Sequence, residues 1–289
     1  MSLGHVRGLL RTETASSAPA SPSTGQIYYD TTTEEFKYYD GTAWYDMDTD
    51  AGSIPATGLE MWLDANNSSS YPGSGTVWSD KSGNNRDFNV PAAAFNAGSG
   101  PGNPAYFNFS SNGYIANNYP TDLPTYSNAT VVIFTKCRNT TSGYRTLFRG
   151  ASNDHQVIID TGTWDLGYFN NPSSPGFQDS GYNISQEPKL TTNFIMHTYR
   201  WANTNDPTFS YWTFNINAST SNKTITSSNA TFDNGFCCIG GYHNGSSSTT
   251  GGIQQWGDVS AVLYYSRHIT YAEQDSIYLY YKDLMGSVI

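Results

Sequence analysis

Carboxylates are the first side chains to test for chemistry, because hydrolysis of a glycosidic bond needs two of them, one acid and one nucleophile or base. Beyond residue 60 the chain has only two glutamates, Glu187 and Glu273. Glu187 precedes a proline, and Glu273 is placed to cap a helix. No two aspartates stand one residue apart in a predicted strand. The sequence therefore predicts no catalytic carboxylate pair, and we expect the protein not to be an enzyme.

Histidine and cysteine give no nucleophilic site either. The chain has no Gly-x-Ser-x-Gly motif beside its five histidines. Its three cysteines, Cys137, Cys237 and Cys238, have neither disulfide-framework nor metal-site spacing. We expect them to be buried as small apolar side chains. No catalytic residue is assigned.

Calcium is the metal that the sequence leaves open. Asp80 and Asn84 belong to a turn whose side-chain oxygens could bind the ion, and they are the candidate ligands. The turn itself also explains both residue types. The main expectation is therefore no metal and no cofactor.

Two loops carry candidate ligand-binding residues. Trp164 lies in the turn-rich segment TGTWDLGYFNN, where we expect an exposed indole. Tyr242, His243 and Asn244 occupy a glycine-flanked loop before a predicted strand. Loops on a rigid β scaffold often bind ligands, so these four residues form the predicted contact surface.

Composition excludes two partner classes. The net charge is −10, and no lysine or arginine cluster could hold a phosphate backbone, so nucleic acid is excluded as a partner. No stretch approaches the ~20 apolar residues of a membrane span. The first residues lack the apolar core of a secretory signal, so we expect maturation in a cytoplasm. The chain is 15% aromatic and only 13% charged, which is typical of a folded protein with a polar, uncharged surface.

Residues 54–289 show strand after strand and one terminal helix. Thr270 and Glu273 form a capping box at the start of that helix. The pattern predicts a mainly β fold, an antiparallel two-sheet sandwich of the jelly-roll type with a short C-terminal helix. The predicted strands are Leu59–Leu63, Thr130–Cys137, Tyr144–Arg149, Gln156–Asp160, Phe194–Trp201, Phe209–Asn217, Phe236–Ile239 and Val259–Ser266.

The first 53 residues divide into two parts. Residues 1–23 are predicted to be an extended arm and linker, and residues 24–53 a small β-meander of three short strands. Such short strands bury too little apolar surface to be stable alone. We therefore expect association through this region, as an anchor and a homo-oligomer contact. Its expected contact residues are Ile27, Tyr28, Phe36, Tyr38 and Trp44, with Arg7 and Arg11 meeting acidic residues of a neighbouring copy.

Three segments resemble known families. GLEMWLDANNSSSYPGSGTVWSDKSGNN (58–85) is similar to the first strand and loop of laminin-G-like, concanavalin A-like domains of phage and marine bacterial proteins. Residues 240–286 resemble the closing segment of the same domains, with a Gly-Gly pair, a strand and a short helix. Residues 24–47 resemble a GxIYYDT…F…YDGTAW motif of phage tail and virion proteins.

The resemblance implies a jelly-roll domain in a bacteriophage virion structural protein. The expected location is the virion surface, as a capsid decoration or fibre made in the host cytoplasm. Its partners would be other virion proteins and further copies of the chain, with a trimer suggested by fibre-like phage proteins. The alternative is a receptor-binding adhesin that binds host surface glycans. A glycan depolymerase is the third hypothesis, disfavoured by the missing carboxylate pair.

Overall fold

The chain forms two compact units, Met1–Ser53 and Ile54–Ile289, called unit 1 and unit 2 below. The structure is a computed structural model. It describes residues 13–32, 35–39, 41–46, 52–100, 102–118, 123, 126, 128–138, 143–149, 155–169, 176–183, 193–202, 208–213, 223–224, 237–243 and 248–285.

Unit 1 contains a four-stranded sheet in the order β1-β2-β3-β4. The strands are β1 (Glu13–Ala15), β2 (Ile27–Asp30), β3 (Glu35–Tyr39) and β4 (Trp44–Asp46). The last three are the predicted meander. Strand β1 was not predicted. The arm contributes it as an edge strand that runs parallel to β2. Its residues have no alternating apolar pattern, and only its backbone pairing makes it a strand.

The predicted anchor residues lie on two faces of this sheet. Tyr28 is buried, with its ring 4.6 Å from that of Trp44 and its hydroxyl donating to Asp30 Oδ2 at 3.0 Å. Phe36 and Tyr38 lie on the opposite face, 46% and 39% exposed. The expectation that Tyr28 is available to another subunit is therefore wrong, since unit 1 already covers it.

Ile27 is directly opposite Tyr38 in the pairing of β2 with β3, so it shares the exposed face. Ile27, Phe36, Tyr38 and the half-buried Trp44 remain as candidates for association. Arg7 and Arg11 lie outside the described residues.

Unit 2 contains two large sheets. The first has the order β15-β14-β13-β12-β19-β10-β7-β6. In chain order its strands are β6 (Val77–Trp78), β7 (Phe88–Asn89), β10 (Ala116–Asn117), β12 (Tyr144–Arg149), β13 (His155–Asp160), β14 (Asp165–Phe169), β15 (Phe177–Asn183) and β19 (Cys238–Ile239).

The second sheet has the order β18-β17-β16-β11-β20-β9-β8, and β5 also pairs with β20. Its strands are β5 (Leu59–Asp64), β8 (Phe95–Asn96), β9 (Tyr106–Asn108), β11 (Asn128–Cys137), β16 (Ile195–Ala202), β17 (Thr208–Thr213), β18 (Lys223–Thr224) and β20 (Gly257–Tyr265). A short 3-10 helix, Ala92–Ala94, precedes β8. The predicted mainly β, antiparallel two-sheet fold with a C-terminal helix is confirmed.

The second sheet is buried on both faces around β11. Val131 and Ile133 belong to the core between the two sheets, whereas Val132 and Phe134 belong to a second cluster on the other face. This two-sided burial explains the continuous apolar run VVIF, which has no polar alternation.

The helix α1 (Tyr271–Met285) covers that other face, with Ile277 and Tyr281 in the second cluster. The predicted capping box is present: Glu273 N donates to Thr270 Oγ1 at 3.2 Å, and Thr270 N donates to Glu273 Oε2 at 2.8 Å. Hydrogen bonds from Arg267 lower the pKa of Glu273 to about 2, so this carboxylate stays charged at neutral pH. None of the helices in the described part of the chain is long and apolar enough to span a membrane.

Candidate functional site

Three glycine-rich loops of unit 2, residues 111–115, 240–243 and 248–256, are joined by backbone hydrogen bonds, and we call them the glycine loop cluster. The N–H groups donate from Gly252 to Gly113 at 2.8 Å, from Ile115 to Thr249 at 3.1 Å and from Trp256 to Gly240 at 3.1 Å. Bonds between loops that are distant in sequence hold the cluster as one body.

The cluster is hydrogen-bonded to the first sheet. Asn117 Nδ2 donates to Ser248 O at 2.9 Å, and Thr146 N donates to Gln254 O at 2.8 Å. Asn117 follows Ala116, which faces the core between the sheets. Because successive strand residues point to opposite faces, Asn117 and the loops that it binds lie on the outside.

Gly113 shows why the loops need glycine. Its φ is +68°, and a Cβ at this position would lie 2.5 Å from Gly251 N. Glycine adopts this left-handed conformation without steric cost, and only the absence of a Cβ allows the two chains to approach so closely. The sequence pattern of the loops therefore follows from their packing.

Tyr242 and Ile253 form an antiparallel bridge inside the cluster. Tyr242 N donates to Ile253 O at 3.1 Å, and Ile253 N donates to Tyr242 O at 3.0 Å. Directly opposite residues of such a pair share one face, with Cβ atoms about 5 Å apart. Tyr242 is half-buried, whereas Ile253 is 52% exposed. An aromatic ring and an aliphatic side chain therefore stand side by side at the surface.

Arg149 supports this pair from the sheet. It is the last residue of β12, it is buried, and its guanidinium carbon lies 4.0 Å from the centroid of the Tyr242 ring. A cation over an aromatic face at this distance stabilises the ring orientation. The tyrosine is thus held by the sheet rather than by its own loop alone.

His243 and Cys238 are two further groups at the site. His243 Nε2 lies 2.7 Å from Thr250 O, and a carbonyl can only accept, so Nε2 carries a proton. Burial raises the pKa of the Cys238 thiol to about 11. This thiol therefore remains protonated at neutral pH.

The structure brings together two of the four predicted ligand-binding residues. Tyr242 and His243 lie in the glycine loop cluster, and Asn244 lies outside the described residues. Sequence reasoning did not single out Arg149 or Ile253. In the sequence, only the preceding pair Gly251-Gly252 indicates that Ile253 lies in a loop. Its pairing with Tyr242 is a tertiary contact that no local pattern predicts.

Trp164 is elsewhere, in the turn between β13 and β14, and the prediction of an exposed indole is wrong. Its side chain is only partly exposed and packs against the core between the sheets. The backbone N–H of Trp164 donates to Asp160 O at 2.6 Å, and the backbone φ of Trp164 is +65°. The turn rotates the backbone so that the indole folds back toward the core.

Asp80 organises the loop that was proposed to bind calcium. Oδ1 accepts N–H bonds from Trp62 and Ser82 at 2.8 Å each, and Oδ2 accepts from Ser82 Oγ at 2.7 Å and Arg86 N at 3.0 Å. Asn84 Nδ2 donates to Leu59 O at 3.1 Å. Four protein donors therefore saturate the carboxylate that the ion would need.

Two other described acids of the sandwich, Asp160 and Asp165, are directly opposite each other in the pairing of β13 with β14. Asp64 and Asp258 are both buried, and burial raises the pKa of each. Asp258 is held by Arg138 Nε at 2.6 Å. Within the described ranges, no three His, Cys, Asp or Glu residues are grouped so that they could hold a metal ion.

Comparisons with known proteins identify the fold but no family. No family model matches the chain, and no curated protein matches it. A mutant of Trypanosoma rangeli sialidase displaying trans-sialidase activity matches with a TM-score of 0.50 at 16% identity, over 81% of this chain and 34% of the sialidase. The same sialidase in complex with sialic acid matches with a TM-score of 0.50 at 14% identity, over 91% of this chain and 45% of that one.

A third similar structure is the receptor-binding domain of botulinum neurotoxin C/D mosaic serotype. Its TM-score is 0.52 at 12% identity, over 77% of this chain and 51% of that domain. The chain thus spans between about a third and a half of the length of these three structures. At such identities the likeness shows a shared β-sandwich fold.

These matches correct one expectation. The prediction that the protein is not an enzyme is contradicted at the level of the fold. The structures that share this fold include sialidases, which are enzymes, as well as a receptor-binding domain. That expectation rested on the absence of a carboxylate pair and of a serine- or cysteine-type nucleophilic site, and tyrosine was not tested as a nucleophile. Sialidases use a tyrosine nucleophile, so a missing carboxylate pair does not exclude glycan chemistry.

Proposed function

We propose that this chain is a surface protein of a bacteriophage particle that binds carbohydrate through the glycine loop cluster of unit 2. Unit 1 attaches the protein to the particle, and unit 2 projects a sandwich toward the host glycan. The observation that carries the binding role is the Tyr242–Ile253 pair, held at the surface by interlocked loops and by Arg149.

The chemistry of the pair suits a sugar. An aromatic ring held in a fixed orientation offers a flat apolar surface to the C–H groups of a sugar ring at low entropic cost. The amides and hydroxyls of the surrounding loops offer donors and acceptors to its hydroxyl groups. A receptor-binding domain and a sialidase bound to sialic acid share the fold, which supports a glycan as the ligand.

The particle-surface role is supported by unit 1 and by the resemblance of residues 24–47 to phage virion motifs. The four-stranded sheet of unit 1 exposes Phe36 and Tyr38 on one face. Large aromatic side chains in such a small sheet favour contact with another protein. The partners in this proposal are virion proteins and further copies of the chain, arranged as a homo-oligomer such as a trimer on the virion surface.

Tyr242→Ala tests the binding role. On an array of microbial and animal glycans, we expect the full chain to bind at least one class, and Tyr242→Ala to weaken that binding about thirtyfold or more. The reason is that central aromatic anchors are worth about 2 kcal/mol or more when truncated. Tyr271→Ala, which removes an exposed tyrosine of α1, is the control and should bind like the wild type. Equal binding by the wild type and Tyr242→Ala would place the site elsewhere.

Substitution of both Phe36 and Tyr38 by serine tests attachment. We expect the wild type to form a homo-oligomer of the 31.7 kDa chain by light scattering, and the double variant to be monomeric and absent from purified particles. Each large apolar side chain that becomes buried contributes about 1.5–3 kcal/mol to such a contact. Tyr271→Ser should not change either measurement. A wild type that is monomeric and missing from particles contradicts the attachment role.

A further inference from the structure

Ile253 is the most exposed large apolar side chain in the described part of the chain, at 52%. It lies in a loop, where any polar residue would satisfy the backbone geometry equally well. Its N–H and C=O are both bonded to Tyr242, so the backbone holds the side chain in place. A fixed aliphatic group beside an aromatic ring is a small apolar contact surface.

Two polar side chains near this surface are already engaged with the protein. His243 Nε2 donates to Thr250 O at 2.7 Å, and Gln254 Oε1 accepts from Thr146 Oγ1 at 2.8 Å. Residues 240–256 contain no Asp, Glu, Lys or Arg, and Arg149, the cation that contacts Tyr242, is buried. Contact with the pair therefore depends on apolar groups of the ligand more than on its charge.

We infer that the Tyr242–Ile253 pair selects sugars that carry a methyl group, either in an N-acetyl group or at C6 of a 6-deoxy sugar. This inference rests on the proposed glycan binding. The C–H face of the sugar ring packs on Tyr242, and the methyl group packs on Ile253. A hydroxyl group at the same place would find no hydrogen-bond partner in the Ile253 side chain. Burial of one methyl group corresponds to about fourfold in affinity.

The test compares matched sugars with the full-length chain by titration calorimetry. The N-acetyl arm uses chitotriose against cellotriose, and the 6-deoxy arm uses L-fucose against L-galactose. We expect a preference of about fourfold or more for the methyl-bearing member in at least one arm. The arm that shows it identifies the source of the methyl group.

Ile253→Thr is the informative variant, because it keeps a β-branched side chain and removes aliphatic surface. It should lower the affinity for the methyl-bearing sugar to that for the unsubstituted sugar, and so abolish the preference. Val77→Thr, an equally conservative change at another exposed aliphatic residue, is the control. A preference that persists in Ile253→Thr overturns the inference.

The two proposals fail differently. Binding of both sugars of a pair with equal affinity in both arms overturns the methyl selectivity and leaves glycan binding intact. Absence of binding to these sugars and to every member of the glycan array overturns both.

Discussion

Replacement of Tyr281 by alanine is expected to lower the free energy of unfolding of unit 2 by about 3–5 kcal/mol, the usual cost of truncating a large buried aromatic residue. Tyr281 is fully buried between α1 and the second sheet, with its ring 4.1 Å from that of Phe134. The truncation leaves a cavity at the contact that holds the helix to the sheet.

Polar contacts add to the cost. The Tyr281 hydroxyl donates to Asp64 Oδ2 at 3.0 Å and accepts from Trp62 Nε1 at 2.9 Å. Burial raises the pKa of Asp64, and the tyrosine is one of the groups that stabilise its charge. Without the hydroxyl, a buried carboxyl group loses a donor.

Tyr281→Phe separates the two contributions. It keeps the ring and should cost about 1–3 kcal/mol, the penalty for leaving buried polar partners unsatisfied. Tyr280→Phe, at the neighbouring and more exposed tyrosine, is the matched control and should change stability little. Urea unfolding followed by tryptophan fluorescence measures all three variants. A Tyr281→Ala protein as stable as the wild type would show that α1 is not part of the cooperative unit.

Acid is expected to destabilise unit 2 through His197. Burial lowers the pKa of this histidine to about 3, and neither ring nitrogen has a hydrogen-bond partner among the residues that the structure describes. The ring of Trp256 lies edge-on to the imidazole, with 6.1 Å between the ring centroids. The folded protein therefore keeps the imidazole neutral, whereas the unfolded chain takes up a proton below about pH 6.5.

The direction follows from linkage. A depressed histidine pKa means that the unfolded state binds more protons, so stability is full above about pH 6.5 and falls as the pH drops toward 3. The loss reaches about 1.4 kcal/mol for each pH unit, or roughly 4–5 kcal/mol over the whole window. Glu273, with its lowered pKa, adds a loss only below about pH 4.5. The raised pKa values of Asp64 and Asp258 act in the opposite direction.

His197→Phe isolates this contribution. Urea unfolding between pH 7.5 and pH 4.5 should show a shallower pH dependence in the variant than in the wild type, by about 1.4 kcal/mol for each pH unit below about 6. His268→Phe, at an exposed position before α1, should retain the wild-type slope. Parallel curves for the wild type and His197→Phe would mean that His197 is protonated in the folded state.

Long strands of unit 2 were predictable because their residues carry a strong pattern. Tyr144–Arg149 has the predicted bounds, and the predicted Thr130–Cys137 lies within β11. The two-residue strands β6, β7 and β10 were not predicted, since two residues carry no periodicity and only tertiary pairing defines them. The strand β14 was missed because Gly167 interrupts its apolar residues.

The candidate site was predictable only in part. A glycine-flanked Tyr242 and His243 indicate a loop with a binding role, and the structure places them in one. Arg149 and Ile253 lie 93 and 11 residues from Tyr242 in sequence, and no local pattern links them to it. Trp164 shows the opposite error, because a turn-rich context was taken as exposure although the turn directs the indole inward.

The pairing of β20 has a consequence for synthesis on the ribosome. This strand pairs with β5, β9 and β11, so one sheet is organised around the strand that is translated after all the others in unit 2. A nascent chain that ends before Gly257 has three strands with open edges and no central partner for them. The sandwich therefore closes only after β20 has been translated.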